Sequence, residues 1–176
     1  LNFRRQTRPK IVINRAAGST LDAACFISNM SSDAIYIESV IVKIESGDDT
    51  IFCRVTDFDT LDGQGARTDP KLRTYQGTLA PSQYSSLGKF GDLVDMAARR
   101  KGFDIGRLKA SGDAITLEIT IIADYAAEDM LIGARRAFEA EWLEGHWRLS
   151  EATPETEQIR SRSERKRIGQ MLAAIE

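Results

Sequence analysis

The stretch Ala114-Ile-Thr-Leu-Glu-Ile-Thr-Ile-Ile-Ala-Asp124 decides the fold class. Ile115, Leu117, Ile119 and Ile121 alternate with Thr116, Glu118 and Thr120, a period of two that an extended strand converts into one apolar and one polar face. Branched aliphatic side chains and threonine also suit a pleated surface. The alternation recurs in Thr20–Ser28, where Leu21, Ala23, Cys25 and Ile27 share a face, and a turn rich in Ser, Asn and Asp follows at 29–33. Ala34–Ile44 starts with Ile35 and Ile37 at odd positions, then places Val40, Val42 and Ile44 at even ones; such a switch demands a bulge near Glu38–Ser39. Lys10–Asn14 and Thr50–Thr56 add further short strands. Successive strands joined by polar turns, with no helix between them, predict a mainly β chain built as an antiparallel, immunoglobulin-like sandwich.

Two segments outside this pattern predict helices. Phe90, Leu93, Val94 and Ala97 recur at helical spacing, the cations Arg99, Arg100 and Lys101 complement the dipole at the far end, and Gly102 supplies a left-handed stop. One inserted helix is therefore expected near residues 90–101. At the C-terminus, Ser161-x-x-Glu164 offers a capping box, and Ile168, Met171, Leu172 and Ile175 form an apolar stripe that either docks on the domain or meets a partner or lipid surface. Between these helices, Ala134–Leu143 and His146–Ser150 match as a hairpin through Glu144–Gly145, setting Trp142 opposite Trp147, Ala140 opposite Leu149 and Glu141 opposite Arg148. A four-residue loop, Leu143–His146, preserves the same pairing.

The 176 residues contain 42% hydrophobic and 28% charged side chains, values that suit one globular domain and exclude disordered, collagen-like and disulfide-scaffold classes. No apolar run is long enough for a transmembrane helix. The formal net charge of −2 conceals a strong asymmetry. Arg4, Arg5, Arg8 and Lys10 crowd the first ten residues, and Arg160, Arg162, Arg165, Lys166 and Arg167 crowd 160–167, while acids outnumber bases between them. Basic arms on an acidic body suit an anionic surface or a solvated tail. The organisation predicted is a basic, juxtamembrane linker over 1–9, a sandwich over 10–151 and a basic, amphipathic helical tail over 152–176.

Enzyme chemistry finds little purchase. The carboxylates Asp57, Asp59 and Asp62 precede Gly63, yet the third acid falls where a calcium loop needs its Gly, and Thr68 stands where it needs a bidentate Glu. Asp57–Arg73 is read as a long polar loop suited to a partner. His146, the single histidine, belongs to a hairpin turn, and no serine lies in a nucleophile elbow. Cys25 and Cys53 sit on apolar stretches without zinc or redox spacing; the reading is buried thiols, with a disulfide between neighbouring strands as the alternative in an oxidising compartment. Gly63-Gln-Gly65 lacks the rest of a phosphate-binding loop, and acid pairs such as Asp92/Asp95 and Glu139/Glu141 are ordinary on an acidic surface. No cofactor or metal is expected. Nucleic acid is disfavoured, because the basic cluster has no aromatic residues for base stacking.

The segment Phe3-Arg-Arg-Gln-Thr-Arg-Pro-Lys-Ile-Val-Ile13 resembles the junction in many uncharacterised bacterial proteins where membrane helices end in a basic stretch, Arg-Pro follows and an immunoglobulin-like sandwich begins. Ala34-Ile-Tyr-Ile-Glu-Ser-Val40 is similar to a strand of such proteins. The resemblance covers about the first 45 residues and implies that the basic flank lies on the cytoplasmic side of a membrane segment upstream of Leu1. The chain starts at Leu1 rather than Met, as expected of a fragment or processed chain. The expected function is a non-catalytic protein-interaction or scaffold domain, tethered to the cytoplasmic face of a bacterial membrane and bound to another protein. Its expected surfaces are Asp57, Asp59 and Asp62; the Trp142/Trp147 hairpin; and the tail residues Arg160, Arg162, Arg165, Ile168, Met171, Leu172 and Ile175. The alternative is a soluble module binding a carbohydrate or another small molecule on the tryptophans.

Overall fold

The computed structural model describes residues 8–56, 74–128 and 130–175. Its elements run β1 (Ile11–Arg15), β2 (Ala24–Asn29), β3 (Ile35–Ser46), β4 (Asp49–Arg54), β5 (Gly77–Leu79), β6 (Tyr84–Lys89), α1 (Phe90–Lys101), α2 (Ile105–Ser111), β7 (Ile115–Tyr125), β8 (Met130–Leu143), β9 (His146–Glu151), β10 (Glu157–Ile159) and α3 (Arg162–Ile175). Strands take 49% and helices 22%, so the chain is mainly β. A three-stranded antiparallel sheet in the order β1-β2-β6 faces a larger one in the order β10-β8-β7-β3-β4. β5 extends the β4 edge of β3, and β9 shares the outer edge of β8 with β10.

The core lies between the sheets. Ile115, Leu117, Ile119 and Ile121 of β7 meet Val40, Val42 and Ile44 of β3 on one side and Ile11, Ile13, Cys25 and Ile27 of the small sheet on the other, all at most 1% exposed. The bulge falls where the parity switch demands it, between Ile37 and Ser39 opposite β7. It keeps Ile35 and Ile37 in the same core as Val40 while turning Ile41 to the opposite face. α1 closes the sandwich: Phe90 packs on Phe138 with ring centroids 4.7 Å apart, and Gly102 ends the helix at φ 67° with its N–H on the Ala98 carbonyl. The first N–H groups of α1 donate to the carbonyls of Ala23 and Leu21, which replaces a side-chain cap. A Cβ at Gly91 would lie 3.3 Å from the Leu21 oxygen, so glycine permits that close approach.

Several expectations need correction. Two helices, not one, separate β6 from β7; α2 is capped by Asp104, whose carboxylate accepts the Arg107 N–H, and buries only Leu108, too little for an apolar stripe. β2 begins at Ala24 rather than Thr20, because Thr20–Ala23 folds into a turn held by Ala23 N–H to Thr20 O. β5, β6 and β10 carry one buried apolar residue each and no legible alternation. The segment after residue 151 is part of the sandwich, since β10 pairs with β8. Cys25 lies in the small sheet and Cys53 on β4 of the large one, which removes the neighbouring-strand disulfide.

Candidate functional site

Where β1 meets the end of the large sheet, the chain builds a polar seam. β1 bonds β2 along one edge, and the backbone groups of its other edge would face water or a foreign strand. Side chains take that place. Gln158 accepts from Ile11 N–H at 3.0 Å and donates to the Ile11 carbonyl at 2.6 Å. Thr156 accepts from Ile13 N–H at 3.0 Å and donates to the Ile13 carbonyl at 3.2 Å. Residues two apart on an extended chain share a face, so Thr156 and Gln158 match the spacing of Ile11 and Ile13. As β10 itself pairs with β8, this segment clasps one sheet to the other.

Arg136 of β8 enters the same gap from the core side. Its guanidinium donates to the Ile13 carbonyl at 3.0 Å, Asn14 Oδ1 at 2.9 Å and the Pro154 carbonyl at 3.2 Å, and lies 5.5 Å from the centroid of the Phe138 ring. Its Nε is buried without a partner. Arg160 donates through Nε and Nη2 to the Pro9 carbonyl, and burial together with the charge of Arg8 holds its guanidinium below the ordinary arginine range. Lys10, Arg136 and Arg160 thereby line one cleft of about 500 Å³, along with Asn14, Glu155 and Thr156. Pro9 and Arg160, 151 residues apart, meet here, which brings the basic residues at the two ends of the chain together.

A second surface is the outer face of the small sheet. The registers Val12↔Ser28↔Tyr84 and Asn14↔Phe26↔Ser86 place these side chains in adjacent rows. Phe26 and Tyr84 meet edge-to-face, centroids 5.3 Å apart, yet Tyr84 stays 69% exposed and nearby Met30 53%. On the outer face of the large sheet α3 covers Ile41, Ile122 and Ile159, while Tyr36 of β3 and Leu131 of β8 stay exposed there.

The sequence-predicted surfaces scatter. Trp142 and Trp147 pair across the hairpin at 5.5 Å, but Trp147 is buried in the core and Trp142 is half-buried with the Lys109 ammonium 4.7 Å above its ring. Ile168 is buried, and Met171, Leu172 and Ile175 pack against its cluster, so the stripe faces the large sheet rather than solvent. Arg160 belongs to the seam, while Arg162 and Arg165 ride on α3, the latter reaching the Ser161 and Leu131 carbonyls. Asp57, Asp59 and Asp62 lie outside the described residues. His146 is exposed at the hairpin end. Burial pushes the Cys25 thiol up to about 12, leaving it a small apolar side chain at neutral pH. Sequence reasoning missed Arg136, Gln158 and the Phe26/Tyr84 face. An arginine at an inward position of the otherwise apolar series Ile132, Ala134, Phe138, Ala140 was the available signal for the first. No family model matches this chain, and no curated protein or solved structure matches it either.

Proposed function

We propose that this chain is a non-catalytic interaction domain with an immunoglobulin-like sandwich, held at the cytoplasmic face of a bacterial membrane by a segment upstream of Leu1, and that it binds another protein through the outer face of β1-β2-β6. Strand order supports the fold: β1-β2-β6 corresponds to strands A-B-E and β8-β7-β3-β4 to G-F-C-C′, with α1 and α2 in the E-to-F connection. The cations preceding β1 support the side of the membrane. The observation that carries the binding face is the Phe26/Tyr84 pair, with Val12 beside it and Met30 at its margin. Tyr84 and Met30 are the most exposed large apolar side chains among the described residues, and aromatic and methionine side chains left in water together mark a contact surface.

Site-specific photocrosslinking tests this reading in cells producing the full-length natural protein. A photoreactive phenylalanine analogue at Tyr84 is expected to yield a discrete protein adduct in the membrane fraction. The same probe at Ser150, an exposed position on β9, should yield none. Absence of an adduct from Tyr84, or an identical adduct from both positions, overturns the assignment of the face.

A further inference from the structure

We propose that the cleft between β1 and β10 binds a phosphate group. Among the described residues its lining holds three cations, Lys10, Arg136 and Arg160, against one carboxylate, Glu155, and none of the three cations forms an ion pair. Such an arrangement is unfavourable without an anion, because like charges gathered in a concave, partly desolvated site repel. The donors are also placed to act. Arg136 is fixed by Ile13, Asn14 and Pro154, so its guanidinium is already oriented, and its buried Nε–H has no acceptor. Arg160 spends Nε and Nη2 on Pro9 and keeps Nη1 available. Lys10 adds a mobile point charge at the exposed rim.

Three donors from separate segments of the chain, Lys10 just before β1, Arg136 on β8 and Arg160 just after β10, suit a tetrahedral oxyanion better than a planar carboxylate, whose two oxygens lie in one plane. The cleft has room for a phosphate group and its ester substituent. Arg8, whose charge acts on Arg160, adds attraction for the same anion. The chemistry fits both a phospholipid headgroup and a soluble phosphate compound. The site stands apart from the Phe26/Tyr84 face in function, and its test does not depend on a protein partner.

The test follows the arginine Nε–Hε signals of the ¹⁵N-labelled protein during titration with inorganic phosphate, with ionic strength held constant by sodium chloride. The expected result is a saturable shift of the Arg136 signal, with Arg162 on α3 as the exposed control. Lys10→Gln, at a side chain that is exposed and makes no hydrogen bond in the seam, should weaken that binding by roughly tenfold, the loss of one charged hydrogen bond, without lowering the melting temperature in the absence of phosphate. No saturable shift, an equal shift at Arg162, or undiminished binding in Lys10→Gln overturns the proposal. Vesicles of phosphatidylglycerol and phosphatidylcholine then separate the sources. Competition with phosphate that is lost in Lys10→Gln supports the site and assigns it to a lipid headgroup; phosphate binding without competition from vesicles supports the site and assigns it to a soluble phosphate.

Discussion

Glu38 shows how a single side chain registers the cost of a bulge. The extra residue between Ile37 and Ser39 leaves its carboxyl beside that of Asp124, and partial burial, a hydrogen bond to Asp124 and repulsion from that neighbour raise its pKa, with Arg54 opposing them. A carboxyl whose folded pKa is raised contributes most at pH values below its unfolded pKa, and that contribution is lost as pH rises through the folded value. Glu38→Gln is therefore expected to raise the melting temperature at pH 7 and to leave it unchanged at pH 3. The gain should stay below about 1 kcal/mol, because the carboxyl remains largely solvated. Thermal unfolding at both pH values checks this, and a variant less stable than the parent at pH 7 would contradict it. The bulge itself was legible from the parity of five aliphatic residues. The Asp124 contact was not, since it depends on which strand lies next to β3.

Among the elements, α3 carries the clearest lesson about what a linear pattern conceals. Its stripe of Ile168, Met171, Leu172 and Ile175 and its cap, Ser161 Oγ accepting the Glu164 N–H at 3.1 Å, follow from local spacing. Its docking ground does not, for Ile41 and Ile122 come from strands 81 residues apart. A clue was nonetheless present in the runs Val40-Ile41-Val42 and Ile121-Ile122-Ala123, which break strict alternation as strands covered on both faces do. Gly133 supports the close fit, since a Cβ there would come within 3.2 Å of Ile159 Cβ. Ile168→Ala is expected to cost about 2 kcal/mol, at the low end for core truncation because the cluster is small and lies near solvent. Denaturant unfolding measures it. A change below about 0.5 kcal/mol, the range of ordinary surface substitutions, would show that the helix is only loosely held.

At the scale of the whole molecule, the sheets meet through their common core and through the clasp at β1, and amide exchange can separate the two contributions. Successive amides of an antiparallel strand point to opposite edges. Ile11 and Ile13 N–H groups face Gln158 and Thr156, so those of Val12 and Asn14 face β2. In the intact protein all four should exchange slowly, although the first pair bonds only to side chains. The combined substitution Thr156→Val and Gln158→Leu removes both acceptors while preserving the size of the side chains. Exchange should then accelerate at Ile11 and Ile13 and stay slow at Val12 and Asn14 if the clasp opens locally while the core holds. That outcome is expected, because Ile11 and Ile13 are fully buried on the inner face and their side chains anchor β1 independently of its edge. Fast exchange at Ile11 and Ile13 in the unsubstituted protein would refute the clasp. Uniform acceleration across both sheets would instead show that the hydrogen bonds of Thr156 and Gln158, rather than the aliphatic core, couple the two sheets.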